Sequence, residues 1–65
     1  MKNKLKVFRA KEDITQKELA TEMDVSRQTI NAIETGKYNP SLELALKLSD
    51  YFDCNVEDLF RLEDD

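Results

Sequence analysis

The chain has no histidine and no tryptophan, and only one cysteine, one glycine and one proline among its 65 residues. Each shortage excludes something. A lone cysteine, Cys54, cannot close an internal disulfide, and without histidine the usual ligand sets for zinc are missing. One glycine and one proline leave too few tight turns for an all-β fold. No apolar run approaches the roughly 18 residues that span a bilayer, and no signal-peptide pattern opens the sequence, so the expected location is the cytoplasm. Catalysis lacks parts as well. With no histidine base, no glycine-rich phosphate loop and no thiol in a catalytic pattern, neither an enzyme nor a cofactor is expected.

What is present suits one small helical domain spanning residues 1–65. Hydrophobic residues make up 40% and charged residues 37%, a balance that belongs to a folded soluble chain rather than a disordered one. A chain of this length buries only about 60% of the surface its unfolded form exposes, so pairing with a second copy is a natural way to hide more. The net charge of −4 is unevenly spread. Residues 1–37 hold eight Lys/Arg and six Asp/Glu, a balance of +2, whereas residues 38–65 hold two and eight, a balance of −6. The first half therefore remains open to an anionic partner.

Five short helices follow from periodicity and capping. Leu5, Val7 and Phe8 place a first amphipathic helix over 4–10, with a break at Asp13-Ile14. Thr15-Gln16-Lys17-Glu18 is a capping box that starts a second helix, which buries Leu19, Ala20 and Met23 and ends near Asp24. Ser26 caps a third, with Ile30 and Ile33 as its buried stripe and Gly36 as its left-handed stop. Ser41 caps a fourth carrying Leu42, Leu44, Ala45, Leu46 and Leu48, apolar nearly all round and so expected at the centre of the core. Asp53-Cys54 is a turn, and Asn55 caps a fifth helix over 56–60.

The informative spacing lies at 16–35. Two short helices joined by Asp24-Val25-Ser26 must cross sharply. Val25 plugs the corner, and Leu19, Ile30 and Ile33 converge beneath it. That leaves Arg27, Gln28, Thr29 and Asn31 pointing outward from the first turns of the second helix of the pair.

The stretches Thr15-Gln16-Lys17-Glu18-Leu19-Ala20, Val25-Ser26-Arg27-Gln28-Thr29-Ile30 and Ile33-Glu34-Thr35-Gly36-Lys37-Tyr38-Asn39-Pro40-Ser41 resemble the lambda-repressor/Cro-type (XRE-like) helix-turn-helix family, in its compact stand-alone form. The match runs over roughly residues 4 to 60, and several motifs at linked offsets make it specific. One position departs. The turn residue that is often glycine in the family is Asp24 here, which tolerates the left-handed region better than most residues.

The resemblance implies an all-α domain of five short helices, with a minor terminal strand pair as in some compact relatives. It also implies sequence-specific binding of double-stranded DNA. Arg27 and Gln28 match base-reading positions, where arginine forks onto guanine O6/N7 and glutamine onto adenine N6/N7. The plainer reading of both is a solvated polar face. Thr29 touches a thymine methyl or a phosphate, and Asn31 contacts DNA or only water. Gln16 is either a solvated first-turn residue or a phosphate holder at a helix N-terminus. Ser26 belongs to the same surface. Lys37, Tyr38, Asn39 and Ser41 read as a phosphate clamp or as a solvated loop with Ser41 as a cap, and both hold for Ser41. The family ties its first helix to the end of the recognition helix with an Arg–Glu pair, which implies a structural link between Arg9 and Glu34.

Phe52, Val56, Leu59, Phe60 and Leu62 offer more apolar surface than a short fifth helix needs. They either cap the core or form an isologous dimer contact. The expected assembly is a homodimeric regulator, a repressor acting at a palindromic operator, controlled through the small domain itself or a partner. The acidic second half favours one rival, a protein-interaction module of the same fold, antitoxin-like or a co-regulator adaptor. The tail Glu63-Asp64-Asp65 is expected to be a solvated end.

Overall fold

A computed structural model describes residues 1–62; the expectation for Glu63-Asp64-Asp65 lies outside the described residues. The elements, in chain order, are β1 (Lys2–Asn3), α1 (Leu5–Lys11), α2 (Gln16–Met23), α3 (Arg27–Glu34), α4 (Leu42–Tyr51), α5 (Val56–Leu59) and β2 (Phe60–Arg61). The strands pair antiparallel, with Lys2 opposite Arg61 and Asn3 opposite Phe60. This is the helical domain with a small terminal strand pair that the sequence implies.

Hydroxyl caps start the three middle helices. The Thr15 side chain accepts from the Glu18 N–H at 3.0 Å while Glu18 accepts from the Thr15 N–H at 2.8 Å, a closed capping box. Ser26 accepts from the Thr29 N–H and Ser41 from the Leu44 N–H, each at 3.1 Å. The ends of α1 through α4 share one device. Asp13, Asp24, Gly36 and Asp53 all have positive φ, between 54° and 79°. The residue after each donates back over five positions: Ile14 to the Arg9 carbonyl, Val25 to Ala20, Lys37 to Ala32 and Cys54 to Ser49. These are Schellman motifs, and they satisfy carbonyls that the helix ends would otherwise orphan. With a single glycine available, aspartate fills three of the four left-handed positions, the side chain next best suited to them.

Leu5, Leu19, Ile30, Ile33, Leu48 and Leu59 are fully buried, with Ala20, Met23, Leu44, Ala45, Phe52 and Phe60 completing the core. Three expectations need correction. The first helix runs one residue later than read, over Leu5–Lys11. The fifth ends at Leu59, because Phe60 turns into the extended backbone that pairs with Asn3. And α4 is not apolar-buried all round: Leu44, Ala45 and Leu48 face the core, whereas Leu42 and Leu46 are 74% and 51% exposed.

The expected dimer patch changes for the same reason. Leu59 is fully buried and Phe52 and Phe60 nearly so, which fits the reading that they cap the core. Val56 is half-buried against the core and Leu62 is exposed. A four-residue α5 has so few positions that its apolar side chains are consumed in closing one core.

Candidate nucleic-acid interface

The first turn of α3 is held rigidly from beneath. Ile30 and Ile33 anchor it in the core, Ser26 caps it, and the Ser26 and Thr29 hydroxyls lie 3.0 Å apart in a shared hydrogen bond. Asp24, at φ 60° and ψ 43°, makes the left-handed turn between α2 and α3, and Val25 is packed half-buried against the core. On the outer side Arg27, Gln28 and Asn31 are exposed. Arg27 and Gln28 make no side-chain hydrogen bond or ion pair with the described residues. Their polar ends are therefore available to a partner, on a backbone that is fixed.

Thr29 sits differently. It is half-buried, its hydroxyl is bound to Ser26, and it lines a depression with Val25, Tyr38, Ser41, Glu43 and Lys47. The Ser26 and Ser41 hydroxyls are engaged as caps.

A polar network fixes α3 against α1 and α2. Arg9 forks onto Glu34, with Nε donating to Oε2 at 2.7 Å and Nη2 to Oε1 at 3.3 Å, while Nη1 donates to the Ile14 carbonyl at 2.9 Å. The Glu34 side chain is only 5% exposed and that of Arg9 17%, so the pair is largely removed from water. Gln16 joins it: Nε2 donates to Glu34 Oε1 at 3.0 Å and to Asn31 Oδ1 at 3.1 Å. An amide nitrogen has two hydrogens, and both are spent on α3. The Gln16 side chain thus braces the recognition surface, and at the α2 N-terminus the donors left for an anion are backbone N–H groups and the exposed Lys17 ammonium. Sequence reasoning missed this link, since nothing in the spacing of Gln16, Asn31 and Glu34 marks it. It missed Asn3 too, whose Nδ2 donates to the Ile33 carbonyl at 2.8 Å and so ties β1 to the end of α3.

After α3 the chain runs exposed through Lys37, Tyr38 and Asn39. The N–H groups of Lys37 and Tyr38 both donate to the Ala32 carbonyl, at 2.9 and 3.2 Å. Contact with an anion would therefore fall to the side chains of Lys37, Tyr38 and Asn39 and to the Asn39 backbone N–H. Cys54 lies away from this surface, in the turn between α4 and α5. Partial burial raises its thiol pKa, as do the carboxylates of Asp58 and Asp53, so it is a poor nucleophile at neutral pH. Among the described residues, no helix is long and apolar enough to cross a membrane, and no cluster of potential metal ligands occurs.

Two crossed helices on a left-handed turn, the second capped and outwardly polar, define a helix-turn-helix domain. Comparison with known proteins agrees. The helix-turn-helix family HTH_3 matches residues 5–59, and the chain belongs to that family. An uncharacterized HTH-type transcriptional regulator of Methanocaldococcus jannaschii, MJ0272, is 57% identical over 65 residues, covering 100% of this chain and 98% of that protein. YgzD of Bacillus subtilis, named in the same words, is 48% identical with 100% and 98% covered. One from Archaeoglobus fulgidus is also 48% identical, with 100% and 93% covered. The family is one of DNA-binding transcriptional regulators, not of enzymes.

Proposed function

We propose that this chain is a sequence-specific regulator that docks α3 in the major groove of double-stranded DNA as a homodimer at a palindromic operator, in the cytoplasm. Repression by occluding the promoter is the outcome such binding produces by default. The observation that carries the reading is the exposure of Arg27 and Gln28 on the rigidly capped first turn of α3, the part of a recognition helix that meets base edges. Arg27 and Gln28 read bases, and Asn31 and Thr29 lie beside them. Lys37, Tyr38 and Asn39 contact backbone phosphate on one flank. On the other flank, the first N–H groups of α2, beginning at Gln16, receive a phosphate at the positive end of the helix.

Salt dependence tests the division between base and backbone contacts. Binding to duplex DNA should weaken linearly on a log–log plot of affinity against salt, because each neutralised phosphate releases counterions. Lys37→Ala should weaken all duplex sequences alike and reduce that slope by about 1. If its slope equals that of the unmodified protein, Lys37 does not contact phosphate. A protein that binds no duplex at any salt concentration would instead be the interaction module that the acidic second half suggests.

A further inference from the structure

We infer that the outer face of α4 is where a second copy of this chain docks, through an antiparallel α4–α4 contact centred on Leu46. The inference rests on the reading of this chain as a DNA-binding homodimer and names the surface that makes the pair.

Leu42 and Leu46, 74% and 51% exposed, are four residues apart and so form one apolar stripe on the side of α4 turned from the core. Glu43, Lys47 and Asp50 border the same shallow groove. Within one chain Glu43 and Lys47 make only a loose ion pair, at 3.7 Å, with side chains 81% and 54% exposed. An exposed pair of that kind adds little to the stability of the monomer.

The pattern is self-complementary. A two-fold axis passing outside the exposed face of α4, at the level midway between Glu43 and Lys47, sets Glu43 of each copy level with Lys47 of the other. The two Leu46 side chains then fall within about 3 Å of each other along the helix axis, at 1.5 Å rise per residue. Asp50 comes level with Pro40-Ser41 of the second copy, at the positive N-terminal end of its α4. The leucines meet along one edge of the contact, and Glu43 and Lys47 pair across the other. A partner of a different sequence would have to supply this arrangement separately, whereas a second copy has it by symmetry.

The location also serves the proposed binding. Glu43 and Lys47 line both the leucine groove and the depression that reaches Thr29 on the recognition helix. A copy seated on α4 is therefore placed beside the first recognition surface. The molecule measures 33 × 23 × 21 Å, so two copies in contact can set equivalent helices at the scale of one duplex turn, about 34 Å.

Sedimentation of the full chain across micromolar concentrations tests the contact. The unmodified protein should dimerise. Leu46→Lys should raise the dimer dissociation constant about tenfold or more, as truncating a central contact residue does. Glu43→Lys and Lys47→Glu should each weaken the dimer, and the double variant carrying both should regain it, with helical content by circular dichroism unchanged throughout. A dimer indifferent to Leu46→Lys, or a double variant weaker than either single one, would overturn the assigned surface, as would a protein monomeric at every concentration. A mixed-sequence duplex at low salt keeps the two readings apart. Duplex binding by a dimer indifferent to Leu46→Lys sinks only the α4 contact. Duplex binding by a monomer sinks both the contact and the homodimer of the proposed function, and an α4 dimer that ignores DNA sinks the proposed function and leaves the contact standing.

Discussion

Arg9→Met should cost the domain about 3 kcal/mol, near the lower end for breaking a buried ion pair because the Arg9 side chain keeps 17% exposure. Methionine keeps much of the length of the side chain and removes its charge. Glu34, almost fully withdrawn from water, would then hold a carboxylate with Gln16 as its one remaining side-chain donor among the described residues. The Ile14 carbonyl would lose its guanidinium partner as well. For a chain of this size the melting temperature should fall by roughly 15 °C. Replacing Glu34 by methionine alongside Arg9 should recover part of the loss, since the double variant buries no unpaired charge. An unchanged melting temperature in the single variant would mean that the pair is fully solvated and carries no structural weight.

The second large effect concerns binding. Arg27→Ala should cost about 2 kcal/mol at the preferred site, roughly thirtyfold in affinity, and relax preference at one or two base pairs. Arg27 has no side-chain partner among the described residues, so folding should be untouched and the loss should appear only with DNA. That separates it from Arg9, whose replacement acts through the fold, and from Lys37, whose replacement weakens every sequence alike. Titration of a preferred and a scrambled duplex checks it. Equal affinities of the variant and the unmodified protein for the preferred duplex would remove Arg27 from the base-reading set.

Much of this architecture was legible because it depends on local chemistry. The Thr15–Glu18 box, the Ser26 and Ser41 caps and the left-handed Gly36 each follow from residues within a few positions of one another, and each appears where expected. Features that depend on distant packing were not legible. Leu42, Leu44, Ala45, Leu46 and Leu48 spread over about 200° of α4, wider than one packing face, so periodicity does not say which edge of the arc meets the core. That is decided by the elements packed against it, and two of the leucines are left outside. Phe60 reads as the last residue of a helix until Asn3, far away in sequence, draws it into a strand. Within the candidate site, the exposure of Arg27 and Gln28 follows from the buried Ile30 and Ile33 stripe. The commitment of the Gln16 amide to Asn31 and Glu34 does not, because it arises only where α2 crosses α3.

The central claim, that α3 reads DNA sequence from a two-fold pair of domains, is tested most directly by selecting bound duplexes from a random-sequence pool with the full chain. The proposal predicts enrichment of a palindrome whose half-sites are centred about one duplex turn, ~34 Å, apart. No enrichment over the starting pool, or enrichment of a single asymmetric site bound by one copy of the chain, would contradict it.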